Sequence, residues 1–450
     1  MDLLNYPIDF ADQGEWPTKR INSLDELPSN SLIGAHDPAI FYDEDCKTFF
    51  AYCTHNVFYT SKDMKHWERQ GKIVPHMPKE TIDYIGGEDL WAPDITKVNG
   101  EYRMYCSTST FGVSRSIIFL ATSDTPFGPF EYKGIVLKTD LNSNVNAIDA
   151  NVAVDQKSKK QYLVYGSFWN GIHILPLNSE GFVENIETDS NGVLTNYGIN
   201  IASRPEFTDH AIEGPYIIYN KETDYYYLFV SYGSLSSDYN IRIARSKNIT
   251  GPYLDIDSNE ITANSDYHTG HLLLGGYQFG NDTPVMGPGH NSVISINNEW
   301  FVVCHVRRKD YLHGGISTMH VYPLLWDESG WPIIVPNIYS GEKQQKVSLK
   351  DIIGMYDRIV MESRFPQQIT SSFPINLKED KTFTISLNKG TFDLIEDSKH
   401  NQILELRIGN ICERYQIRPI LDQYSKKQSI IMTGLQNGTT SCFMKKITLE

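Results

Sequence analysis

The chain is poor in several features that mark common protein classes. Its six cysteines (Cys46, Cys53, Cys106, Cys304, Cys412 and Cys442) include no CxxC pair, which argues against a disulfide framework. No apolar run approaches the length needed to cross a bilayer. The first residues, MDLLNYPIDFADQGEWPTKR, lack a charged segment followed by an apolar one, so no signal peptide is visible. The expected location is cytoplasmic if this is the whole chain, and extracellular if an export signal has been removed. Basic residues are also scarce, with 40 Lys and Arg against 55 Asp and Glu, a formal net charge of −15. That balance excludes nucleic acid and anionic membrane as expected partners. It suits a neutral substrate better than a polyanion. Neither a P-loop, a dinucleotide fingerprint nor HExxH is present, and GxSxG is absent. Helical patterning is sparse throughout.

β patterning is abundant. Aromatics make up 12% of the chain, with 27 tyrosines, a composition that favours strands. One pattern occurs five times: HDPAIFYDEDCKTFFAYC, WAPDITKVNGEYRMYC, DANVAVDQKSKKQYLVYG, EGPYIIYNKETDYYYLFV and GHNSVISINNEWFVVC. Each copy reads as an apolar strand, a polar turn and a second strand rich in Tyr, Phe and Val. Cys53, Cys106 and Cys304 fall in the second strands, where a free thiol acts as a small buried hydrophobe. Repetition at this period marks a propeller or solenoid, whose units cannot bury their apolar faces alone.

Third strands are predicted at VFYTS, IIFLATS, GIHILPL, NIRIARS and ISTMHVYPLLW. The turns SKDMKHWERQGKIV, SDTPFGPFEYKGIVL and SKNITGPYLDIDS lead toward outer fourth strands. The reading is all-β: a five-bladed β-propeller over residues 31–344, after an irregular lead-in at 1–30. Residues 259–289 form the clearest insertion and are expected to rim the cavity mouth. From 345 to 450 short alternating strands replace the repeat, predicting a small antiparallel β-barrel or sandwich. The whole is expected to be a monomer.

A propeller gathers the starts of its innermost strands around one axis, which would bring together Asp37, Asp94, Asp149, Glu213 and His290. Carboxyl groups in one partly desolvated cavity take different protonation states, as hydrolysis of a glycosidic bond requires. For a single acid the plainer reading is a turn cap that accepts backbone amides. Recurrence of Asp37, Asp149 and Glu213 at equivalent places in three blades favours chemistry. Asp94 in WAPDI sits one step further along its repeat, which predicts a structural role. His290 is equally open to metal contact, substrate contact or a structural role. Trp91, Phe111 and Trp169 offer aromatic planes against which sugar C–H faces pack. Trp67, Trp300, Trp326 and Trp331 read as core or interface.

These segments resemble glycoside hydrolase family 43, and within it the endo-1,5-α-L-arabinanases. HDPAI, WAPDI, STFG, AIDANV, GSFWNGI, AIEGPYIIY, YNIRIARSKNITGPY and GPGHNSV follow the family's order over about residues 30–340. The resemblance implies inverting cleavage of internal α-1,5-L-arabinofuranosyl linkages in linear arabinan and arabino-oligosaccharides. It makes Asp37 the general base, Glu213 the general acid and Asp149 the carboxylate that raises the acid's pKa. An inverting pair stands about 6.5–9.5 Å apart. It also places a hydrated calcium ion at His290, although calcium ordinarily takes a shell of oxygens. The tail resembles the C-terminal β-barrel of two-domain arabinanases. Two departures are Gly214 in EGPY, expected to loosen the acid's backbone, and Asn170 in FWNGI, expected to alter one hydrogen bond to sugar. The alternatives are an exo-acting α-L-arabinofuranosidase or β-xylosidase, with 259–289 blocking the groove, and a non-catalytic carbohydrate-binding propeller. The Asn-Asp-Pro-Asn and Glu-Cys signatures of fructan-acting propellers are missing.

Overall fold

The computed structural model describes residues 35–262, 269–307, 317–362, 369–422 and 427–447. The lead-in expected at 1–30 lies outside them. Five four-stranded antiparallel sheets form the propeller. The first blade contains β1 (Ala39–Asp43), β2 (Thr48–Cys53), β3 (Val57–Ser61) and β4 (Glu68–Gly71). The second contains β5 (Trp91–Val98), β6 (Glu101–Ser109), β7 (Ser116–Ser123) and β8 (Glu131–Thr139). The third contains β9 (Asn151–Val154), β10 (Gln161–Tyr165), β11 (Ile172–Pro176) and β12 (Ile199–Ala202). The fourth contains β13 (Ile212–Asn220), β14 (Tyr225–Tyr232), β15 (Asn240–Ser246) and β16 (His271–Leu274). β17 (Tyr277–Gln278) then precedes the fifth blade, β18 (Met286–Ile296), β19 (Glu299–Arg307), β20 (Thr318–Trp326) and β21 (Pro332–Ile334).

The second strands are continuous apolar runs because neighbouring blades cover both their faces. Every residue of Thr48–Cys53 is buried. A separate apolar cluster fills each junction between blades, including that between the fifth and the first. Cys53, Cys106 and Cys304 are free and fully buried in these clusters.

Hydrogen bonds at the inner strands knit the ring. The Asp94 carboxylate accepts the Val152 amide of the next blade at 2.8 Å and Asn151 Nδ2 at 3.2 Å. It also takes the amide of Ile95. Asn151 Oδ1 accepts the Ile217 amide at 2.9 Å, and the Tyr216 hydroxyl takes that of Val293. Ser292 Oγ accepts the Ile40 amide at 3.0 Å and donates to Pro38 O at 2.6 Å, joining the last blade to the first. Asp94 is thus a structural carboxylate, as its offset suggested. The offset is two residues, however: Ala92, not Asp94, begins that blade.

Two expectations for the fourth blade are corrected. SKNITGPYLDIDS does not lead directly into the outer strand, since Leu254 makes only isolated bridges to Arg245 and Glu260. The outer strand is β16, inside the presumed insertion. This stretch thus supplies an outer strand, and none of its described residues lines the cavity beside Glu213. His271–Leu274 is wholly buried, because its apolar residues complete a blade and then meet the C-terminal domain.

That domain is a closed antiparallel barrel rather than a sandwich. After β22 (Gly354–Val360) the chain makes β23 (Thr370–Ser371), which pairs with β17. β24 (Phe373–Leu377), β25 (Thr382–Ile385), β26 (Asn388–Glu396), β27 (Gln402–Ile408), β28 (Ile411–Leu421), β29 (Gln428–Gln436) and β30 (Thr440–Lys446) follow, and β30 returns to β22. Eight strands leave an interior that side chains can fill. Here Tyr356, Phe383, Phe392, Tyr415 and Met432 fill it. On its outer face Ile359, Met361, Ile431 and Phe443 join Leu272, Leu274 and Val335 in one core. Thr433 Oγ1 donates to Ile334 O at 2.6 Å and Ser441 Oγ to Leu272 O at 2.7 Å.

Replacing Ser292 by Ala removes both bonds at the ring closure and leaves a buried amide and carbonyl unpaired. The expected loss is about 1–3 kcal/mol of unfolding free energy, read by urea denaturation. An unchanged midpoint and slope would show that the closure does not depend on this hydroxyl.

Candidate active site

Each inner strand is entered through a residue with left-handed backbone: Asp37, Ala92, Asp149, Gly214 and His290, with φ from 30° to 60°. Outside glycine this conformation is uncommon and persists where surroundings enforce it. The enforcing groups lie on the preceding blade, one residue beyond an equivalent point of its second strand. Thr54 Oγ1 accepts the Ala92 amide at 2.8 Å, Ser107 Oγ that of Asp149 at 3.1 Å, and Ser231 Oγ that of His290 at 2.8 Å. His305 Nδ1 replaces the hydroxyl for Asp37, at 3.3 Å.

The fourth blade departs from this pattern. The Gly214 amide donates to Asp149 Oδ2 at 3.0 Å, which leaves Ser167 free to donate to Glu213 Oε2 at 2.9 Å. The counterpart of Asp37, Asp149 and His290 is therefore Gly214. Glu213 stands one residue earlier, so the apparent equivalence of the three acids is corrected. Gly214 does not loosen the backbone either. It is pinned by Asp149, and a Cβ there would meet the His290 ring at 3.1 Å.

Asp37, Asp149, Glu213 and His290 come together near enough to shift one another's ionisation. Asp37 is buried among imidazoles. Its Oδ1 lies 3.2 Å from His290 Nδ1, 3.2 Å from His305 Nδ1 and 3.4 Å from His36 Nε2. Its Oδ2 accepts Thr54 Oγ1 at 2.6 Å. Burial alone would raise the Asp37 carboxyl. His290, His36 and His305 together outweigh it and hold the group well below the usual carboxylate range.

The other two acids move the opposite way. Burial, aided by the charges of Glu213 and Asp37 and opposed by His290, pushes Asp149 up to about 7. Burial likewise raises Glu213, with Asp37 adding and with His290, Tyr239 and Ser167 opposing. Asp149 and Glu213 compete for one proton. Burial disfavours the charged form of His290, but Asp37, Asp149 and Glu213 prevail and raise it. Burial lowers His36 to about 3. One ionised carboxylate beside two protonable ones is what acid–base hydrolysis needs.

A cavity of about 580 Å³ opens beside Glu213, lined by Trp91, Phe111 and Trp169. Phe111 is 88% exposed. Tyr239 went unnoticed in the sequence. Its ring stacks on His305 at 5.7 Å and its hydroxyl faces the carboxylates. Gly289 admits that ring, since a Cβ there would stand 2.1 Å from it. His36, Ser167 and His305 were also missed. The last two had a legible signal, a Ser, Thr or His directly after every second-strand copy. Ligand atoms of His36, Asp37 and His305 lie within 4.8 Å of one another, a set richer in nitrogen than calcium prefers.

A family model, Glycosyl hydrolases family 43, matches residues 32–332. The chain belongs to this family. A C-terminal lipocalin-like domain model matches residues 336–444 of this family 43 chain. It is 30% identical to an extracellular endo-α-(1→5)-L-arabinanase of Thermotoga petrophila, covering 93% of this chain and 94% of that one. It is 31% identical to extracellular endo-α-(1→5)-L-arabinanase 2 of Bacillus subtilis, over 80% and 82%. The crystal structure of the Thermotoga petrophila endo-1,5-α-L-arabinanase superposes with a TM-score of 0.81 at 28% identity, covering 94% of this chain and all of that one.

Since Asp149 and Glu213 compete for a proton, D149N removes a negative charge that favours protonated Glu213. The alkaline limb of the kcat/KM–pH profile, where rising pH strips that proton, is expected to move to lower pH. A limb that stays or moves upward would refute this coupling.

Proposed function

We propose that this family 43 glycosidase cleaves internal α-1,5-L-arabinofuranosyl linkages of linear arabinan with inversion. The observation that carries the reading is the gathering of Asp37, Asp149 and Glu213 in one buried cluster, tied together through His290, Gly214 and Ser167, beside a cavity lined by Trp91, Phe111 and Trp169. Similarity to endo-arabinanases over nearly the whole chain supports it. Asp37, held ionised by its imidazoles, takes a proton from the attacking water. Glu213, raised by burial and held by Ser167, gives its proton to the departing sugar oxygen. Asp149 keeps that proton available and fixes the turn through Gly214. Trp91, Phe111 and Trp169 pack on the sugar rings. The extracellular relatives and a polymeric substrate support action outside the cell.

A divalent cation would fit beside His290, whose ring stands 3.2 Å from the ionised Asp37. Calcium would be held through this one imidazole, with water supplying the oxygens. When bound it adds positive charge next to Asp37. Stripping metal with a chelator is expected to lower turnover and added calcium to restore it. Full activity of metal-free protein would remove the ion from the reaction.

The decisive experiment is the time course on debranched linear arabinan. Rapid viscosity loss with mixed arabino-oligosaccharides is expected, whereas release of arabinose alone would indicate exo action. E213A should lose about 10²–10⁴-fold on polymer and much less on an aryl arabinofuranoside, whose leaving group needs no proton. Equal losses on both would show that Glu213 is not the acid.

A further inference from the structure

Trp91, on the wall of the cavity beside Glu213, is tied at its ring edge. Its indole Nε1 donates to Asp89 Oδ2 at 3.1 Å. Asp89 precedes β5 and lies outside any strand, and its side chain is 46% exposed. A carboxylate so placed keeps much of its rotational freedom unless another group restrains it. Here the restraint comes from the first blade. His55 Nδ1 lies 2.9 Å from Asp89 Oδ2 and 3.1 Å from Oδ1. An ionised carboxylate only accepts, so this nitrogen donates. The bond to Asp89 raises the imidazole above its ordinary value, against burial.

His55 is itself held by the turn that carries it. Thr54, His55 and Asn56 join β2 to β3. His55 and Asn56 both have left-handed backbone, with φ of 72° and 55°, a conformation that persists where surroundings enforce it. The surroundings are the entry to the second blade. His55 N donates to the carbonyl of the fully buried Leu90 at 2.8 Å. Asn56 Oδ1 accepts the amides of Ile73 and Val74, each at 3.0 Å. Thr54 Oγ1 accepts the Ala92 amide at 2.8 Å and donates to Asp37 Oδ2 at 2.6 Å. One turn therefore reaches Asp37 through Thr54, and the Trp91 ring through His55 and Asp89. Neither His55 nor Asp89 lines the cavity, so the pair acts on substrate through Trp91.

We propose that Asp89, braced by His55, is a positioning residue that holds the Trp91 ring at a set place relative to Asp37. The inference rests on the arabinan reading above, in which a sugar packs on that ring. An aromatic side chain takes a sugar along its face, and a bonded edge keeps the face from turning away. An untethered indole would lose its freedom only when substrate arrived; a tethered one has lost it already. Asp89 thus strengthens substrate binding without touching substrate.

The test is a double-mutant cycle on arabinohexaose. D89A should raise KM by roughly 2- to 10-fold, the scale of one hydrogen bond, with kcat little changed. In a W91A background the same substitution should cost nothing further, because the ring it positions is gone. D89N keeps an oxygen for the indole and should stay closer to wild type than D89A. Asp89 is half-exposed, so both variants should fold, which the urea midpoint checks. An unchanged KM in D89A, a loss of equal size in W91A, or a D89N no better than D89A would overturn the positioning role and leave the activity intact. A W91A enzyme as good as wild type would overturn it too, since no sugar would then depend on that ring. A wild-type enzyme inert on every arabinan substrate would instead overturn the arabinan reading, and this inference with it.

Discussion

The site depends on one recurring interaction: a polar side chain at the end of one blade's second strand holding the left-handed residue that opens the next blade. A left-handed non-glycine residue costs about 1–3 kcal/mol, and here its restraint comes from the neighbouring blade rather than its own. The active-site backbone is therefore a property of the closed ring. The chemistry sits where this pattern is varied. Gly214 turns to the Asp149 carboxylate and frees Ser167 for Glu213. At the junction between the last and first blades, an imidazole stands where the others have a hydroxyl, and it faces Asp37.

Those substitutions set the electrostatics. Three carboxyl groups of one buried cluster would ordinarily all resist ionisation. The imidazoles are not shared equally, however, since His290, the one whose protonation is favoured, lies 3.2 Å from Asp37 Oδ1, with the rings of His36 and His305 beside it. Asp37 therefore ionises at the expense of the other two. Its negative charge then helps to keep a proton on Asp149 and Glu213, so base and acid are poised by the same arrangement.

The barrel contributes mainly to packing. Its described contacts fall on the fourth and fifth blades and on the segment between them, with one apolar core spanning the junction. Its interior is occupied by its own side chains. The groove runs along loops of the second, third and fourth blades, so the two surfaces make separate demands on the sequence.

The blades were legible because burial of both strand faces leaves continuous apolar runs, which repeat whenever the unit repeats. The acids were legible as polar residues interrupting that text, and HDPAI and AIDANV announced Asp37 and Asp149. Glu213 was found through a false equivalence, since strand alternation cannot count residues across a left-handed turn. The outer strand at His271–Leu274 was misread as a loop because its partner β15 is distant in sequence and its cover comes from another domain. By itself the sequence determined the blade count, the existence of a second antiparallel β domain and the acids present, all consequences of local patterning; that this domain closes as a barrel was settled by its strand pairing. Which acid is ionised was decided only by the tertiary structure, because a carboxyl group's pKa depends on the burial and charges that the closed ring places around it.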